Sequence, residues 1–82
     1  MKIDVFEEEM KIINCLHKNN IDCAIEAVFN TGIISIVDKG IFRRYKPAFI
    51  IGNLREIGYR FLMYENTFLK STYVFEKIVK RM

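Results

Sequence analysis

The stretch from Asn53 to Met82 constrains this chain most. Leu54, Phe61, Phe68, Phe75 and Met82 recur every seven residues. Ile57, Tyr64 and Ile78 follow three residues after the first, second and fourth of them, and Ser71 interrupts that second row. Offsets of three, four and seven share one face of a helix, so the spacing predicts a long helix over 54–82 with a wide aromatic stripe. Asn53 caps its start and Glu56 closes a capping box. Lys77, Lys80 and Arg81 complement the dipole at its end, and Gly58 is its one tolerated glycine.

Such a helix poses a geometric problem. Twenty-nine residues at ~1.5 Å each span about 43 Å, whereas a domain of this length has a radius of gyration of ~12 Å and a diameter of about 30 Å. Three resolutions follow, in order of preference. The helix breaks near Glu65-Asn66-Thr67, or it overhangs and buries its stripe on a second chain, or Tyr73-Val74-Phe75 turns to strand because β-branched and aromatic residues are dense there. The overhang makes Phe68, Phe75, Ile78 and Met82 a twofold surface, and so a homodimer through the C-terminal helix.

Upstream, Asp4 with Glu7 forms a capping box that opens a helix over 5–18. Phe6, Met10, Ile13 and Leu16 are its predicted apolar stripe, flanked by Val5, Ile12 and Cys15, while Glu7, Glu8 and Glu9 favour the helix dipole off that stripe. Asn19-Asn20 ends it. The period then changes to two. Cys23, Ile25, Ala27 and Phe29 alternate with Asp22, Ala24, Glu26 and Val28 as a half-buried strand, and Ile33 to Val37 reads as a more buried one across an Asn30-Thr31-Gly32 turn. Asp38-Lys39-Gly40 repeats the turn chemistry, which predicts a third strand from Ile41 to about Tyr45. Pro47 marks a strand edge or a break. The expected fold is α+β in the order α-β-β-β-α, one domain over 1–82, with a three-stranded antiparallel meander packed against two helices. No linker or internal repeat is visible.

Composition narrows the function. About half of the 82 residues are apolar and about a quarter charged, which argues for a folded domain with one modest core. No run approaches the ~18 apolar residues of a membrane span. No apolar segment follows the acidic N-terminus, so the expected location is cytoplasmic. Lys, Ile and Asn supply 8, 13 and 6 residues, a bias that follows AT-rich codons such as those of small bacteria, phages and plasmids. Net charge is +3, which allows a polyanionic partner without demanding one.

Catalytic chemistry has little to work with. His17 is the only histidine, and no phosphate loop, nucleophile elbow or paired-carboxylate motif accompanies it. Cys15, His17 and Cys23, with Asp22 as a fourth ligand, match no zinc spacing, and residues two apart on a helix point different ways. The expectation is therefore no enzyme, no cofactor and no metal.

A basic group offers more. Lys39, Arg43, Arg44 and Lys46 crowd one segment with Phe42 and Tyr45 between them, and Arg55 and Arg60 follow. Basic residues interleaved with aromatics suit an acidic protein surface, a nucleic-acid backbone with stacked bases, or a solvated edge that guards against aggregation. The expected partner-binding set is Lys39, Phe42, Arg43, Arg44, Tyr45, Lys46 and Arg55, with an acidic protein surface ahead of nucleic acid.

The order α-β-β-β-α also resembles the double-stranded-RNA-binding domain in topology. That family places a lysine-rich helix start after its third strand, where this chain has Asn53-Leu54-Arg55-Glu56, so the resemblance transfers no site. The function expected from the sequence is a small non-enzymatic protein-binding module. By analogy it is a phage or mobile-element accessory or inhibitor protein of anti-defence type, an anti-CRISPR being one form, that occupies a partner's surface. A nucleic-acid-binding regulator is the alternative.

Overall fold

A computed structural model describes residues 3–41 and 43–79. The described residues are α+β, with two helices and a four-stranded antiparallel sheet: α1 Val5–Lys18, β1 Ala24–Val28, β2 Ile33–Asp38, α2 Pro47–Glu56, β3 Tyr59–Asn66 and β4 Ser71–Lys77. Strand order across the sheet is β1-β2-β4-β3.

The first half follows its sequence signals. Asp4 accepts a hydrogen bond from the Glu7 N–H, and α1 closes where Asn20 takes a positive φ of 55°. β1 and β2 pair as the expected hairpin.

Three expectations fail. Residues 41 and 43–45 form no strand; they belong to a loop joining β2 to α2. Pro47 is the first residue of α2, a position where its missing N–H costs nothing. No C-terminal helix is present among the described residues. Gly58, at φ 93°, stops α2, because a left-handed backbone suits glycine, and the chain returns as the β3–β4 hairpin. The seven-residue stripe is thus divided. Leu54 sits on α2, Phe61 and Phe75 face each other across the hairpin, and Phe68 lies at its tip. Strand pairing over 59–77 also removes the α-β-β-β-α order on which the likeness to the double-stranded-RNA-binding domain depended.

The architecture contains a repeat of shape. β2 and β4 pair about Ser35 and Val74, and half a turn about that pair exchanges Ile34–Phe75 with Ile36–Tyr73. Each edge strand carries one bulge at the matching place: β1 skips Glu26 between Ile25 and Ala27, and β3 skips Leu62 between Phe61 and Met63. Each helix also ends alike, Asn19 at φ −99°, ψ 11° before Asn20 and Ile57 at φ −101°, ψ 15° before Gly58. The chain is two α-β-β units without a matching sequence repeat.

Both helices cover the same sheet face. Ile12, Leu16, Ile21, Ile50 and Leu54 meet Ile34, Ile36, Tyr59, Tyr73 and Phe75 in the core. α1 is rotated from its predicted facing: Glu8, Ile12, Cys15 and Leu16 are buried, while Phe6, Met10 and Ile13 are exposed. Two contacts turn it that way. Glu8 accepts from the Tyr59 hydroxyl and pairs with Lys77 at 2.7 Å, which ties the buried face of α1 to β3 and β4.

Candidate functional site

The described residues of the loop between β2 and α2 and the β3–β4 turn form one surface at one end of the sheet, and the side chains of Asp38 and Arg44 build it. Asp38, the last residue of β2, is 2% exposed. Its two carboxylate oxygens accept the N–H groups of Gly40 and Tyr45 at 3.0 and 2.9 Å, folding the loop back on the strand end. Gly40 is required by close approach, since a Cβ there would lie 2.2 Å from the Arg43 carbonyl oxygen. Tyr45 closes the far side, its hydroxyl accepting from the Asp22 N–H and donating to the Asn20 carbonyl, while its ring stacks on Phe49 at 5.8 Å.

Arg44 joins this loop to the hairpin. Its Nε donates to the Gly40 carbonyl at 3.0 Å. Nη1 donates to Asn66 Oδ1 at 2.8 Å, to the Thr67 carbonyl at 2.6 Å and to Ser71 Oγ at 3.3 Å. Nη2 donates to the Phe68 carbonyl at 2.7 Å. The guanidinium is consumed by acceptors of its own chain, and a planar fork is the group suited to span so many. Thr67 completes the turn, its hydroxyl accepting the Lys70 N–H at 3.1 Å.

Held by this clamp are the three most exposed large apolar side chains among the described residues: Phe68 at 95%, Ile41 at 87% and Leu69 at 77%. Ile41 and Phe68 line one cleft of about 350 Å³ with Arg43 and Arg44. Arg43 beside them, and Lys39 and Lys46 on the same loop, are exposed. Lys70 turns instead to Glu26 at 2.8 Å, which draws that carboxyl below its usual range.

The expected partner-binding residues divide accordingly. Lys39, Arg43 and Lys46 are exposed on the loop, whereas Arg44 and Tyr45 are spent internally. Phe42 lies outside the described residues. Arg55 sits nine residues along α2 from Lys46, about 13 Å of helix away, and is not part of the cluster. Arg60 is on β3, paired with Glu76. Of the expected self-association set, Phe75 is in the core at 0% exposure, Phe68 is at the tip, Ile78 follows β4 at the opposite end of the sheet, and Met82 lies outside the described residues. They share no face. Sequence reasoning missed Ile41 and Leu69, because it placed one in a strand and the other in a helix. The available signal was Asn66-Thr67, a turn pair inside an aromatic run.

The remaining polar candidates do not converge. Burial, then Asp38 and Asp22, pushes the Cys23 thiol up to about 12. Burial also raises Cys15, with Asn19 and Lys18 partly opposing. Both are protonated thiols at neutral pH, poor as nucleophiles and as metal ligands. Among the described residues no three His, Cys, Asp or Glu side chains group to hold a metal ion, and no helix is long and apolar enough to cross a membrane.

Compared with protein-family models, curated proteins and solved structures, the chain matches none.

Proposed function

We propose that the protein is a binding module that acts by occupying a surface of another protein, and that the clamped tip is the surface it uses. The observation that carries this is the Arg44 network. Five hydrogen bonds from one side chain fix two loops whose outward groups are Ile41, Phe68 and Leu69. Exposed apolar clusters of this kind mark interaction sites, and a pre-ordered one loses less entropy on binding. Lys39, Arg43 and Lys46 around it select a partner with an apolar pocket rimmed by carboxylates. An accessory or inhibitory role by occupancy requires no catalytic group, and the reading is non-enzymatic.

The experiment is affinity capture from extracts of the cells in which the protein acts, with and without nuclease, comparing wild type with Phe68→Ser/Leu69→Ser and with Phe29→Ser as an exposed control. The expected result is a protein retained by wild type and Phe29→Ser, lost by the tip variant and indifferent to nuclease. Retention by all three places the binding surface elsewhere. Loss of the captured material on nuclease treatment, with a steep salt dependence, supports a nucleic-acid partner instead.

A further inference from the structure

The outer face of α1 carries a seam that the fold leaves uncovered. Phe6, Met10, Ile13 and His17 are spaced four, three and four residues apart. At 100° per residue they fall within about 60° of one another, on the side away from buried Ile12, Cys15 and Leu16. All four are exposed, Phe6 at 74%. Four-three-four spacing is that of a two-helix packing seam. Beside it, a cleft of about 570 Å³ opens between α1 and the residues leading into edge strand β1, with Ile13, Leu16 and Ile21 among its apolar lining and Glu9, His17 and Asp22 among its polar lining.

From this geometry we infer that α1 docks antiparallel on α1 of a second copy of this chain. Antiparallel pairing sets Met10 against Ile13 and Phe6 against His17. Each Phe6 then meets the mouth of the other copy's cleft, so the most exposed large apolar side chain of the helix and the recess beside its seam are brought together by the same twofold axis. Charge agrees. Apart from buried Glu8, the first turns of α1 carry Glu7 and Glu9 and its last turn His17 and Lys18, so only the antiparallel arrangement sets acidic on basic, with Glu7 on the same flank as Lys18 of the other copy. A parallel pair sets like on like. The interface is isologous and closes as a dimer. It replaces the C-terminal stripe as the self-association surface.

Sedimentation equilibrium of the full chain from about 5 to 500 μM tests it, a range suited to a four-layer contact. The mass is expected to rise with concentration from one chain of 9.7 kDa to two. Phe6→Ala and Ile13→Glu, both at exposed positions, weaken dimerisation at least about tenfold, with circular dichroism confirming that the monomer stays folded. Glu7→Lys weakens it and added Lys18→Glu restores it. A single-chain mass throughout overturns the proposal, as does a dimer insensitive to Phe6→Ala and Ile13→Glu. A charge swap that fails to restore association overturns the antiparallel arrangement.

Discussion

The Tyr59 hydroxyl donates to Glu8 Oε1 at 2.5 Å across fifty-one residues of chain. The other carboxylate oxygen takes Lys77 at 2.7 Å and Lys11 at 3.5 Å. Burial pushes this carboxyl up, but the hydrogen bonds from Lys77 and Tyr59 and the charges of the two lysines outweigh it, and Glu8 titrates below its usual 4.5.

A lowered folded pKa means that the unfolded chain binds the proton first as pH falls. The Glu8 contribution to stability is complete above about 4.5 and disappears as pH drops through the lower folded value. Thermal melts between about pH 7 and pH 3 are expected to show a Tm loss below 4.5 that Glu8→Gln reduces. Added salt screens the exposed Glu26–Lys70 pair and leaves the Glu8 part in place. Glu8→Ala costs about 2–3 kcal/mol at neutral pH, at the lower end because the Lys77 side chain is 25% exposed and rehydrates. Wild-type pH dependence in Glu8→Gln would contradict this account.

Phe75 and Phe68 are predicted to behave oppositely. Phe75 packs edge-on against Phe61 at 6.0 Å and is fully buried, so Phe75→Ala costs about 3–5 kcal/mol and Phe75→Leu about 1–2. Phe68→Ala leaves stability within about 0.5 kcal/mol. Urea titrations of the three variants decide it, and equal losses at both positions would return them to a shared environment.

The source of the sequence misreading lies in these same residues. Phe61, Phe68 and Phe75 at seven-residue intervals satisfy a helix face, but fourteen residues also join two cross-strand partners through a tight hairpin. Local spacing does not separate the two. Gly58 and Asn66-Thr67 do, by φ and turn chemistry, and each was legible as an interruption. Asp4, Asn20 and the Asn30-Thr31-Gly32 turn were read correctly because each acts on its own neighbours. Glu8 was not, since its partners Tyr59 and Lys77 come from the far end of the chain. The same holds for Arg44, whose acceptors lie on a hairpin of which the sequence offered only the strand at Tyr73-Val74-Phe75, as its third alternative, so the clamped tip was invisible while the exposed charges Lys39, Arg43 and Lys46 were not.

Tyr73 is buried with no hydrogen-bond partner for its hydroxyl among the described residues, and burial pushes its pKa up to about 12. Removing that group without changing the ring removes a desolvation penalty. Tyr73→Phe is expected to hold or raise Tm, by up to about 1 kcal/mol of added stability. A loss above that amount would show that the hydroxyl is satisfied in solution.

Arg43 and Arg44 are adjacent and predicted to be unlike. Arg43→Glu changes Tm by less than a few degrees, as an exposed charge does, and weakens partner binding. Arg44→Glu lowers Tm and speeds amide exchange at Phe68, Leu69 and Lys70, because it sets a carboxylate against the carbonyls of Gly40, Thr67 and Phe68. Hydrogen exchange followed by mass spectrometry separates them, and equal exchange in both variants would remove the clamp from the account.

The most direct measurement is the affinity of the captured protein partner for Phe68→Ser/Leu69→Ser against wild type, by calorimetry at fixed salt. Both side chains are exposed, so the variant keeps the wild-type Tm. If the tip is the recognition surface, the dissociation constant rises at least about a hundredfold. An unchanged constant would show that the partner binds elsewhere on the chain.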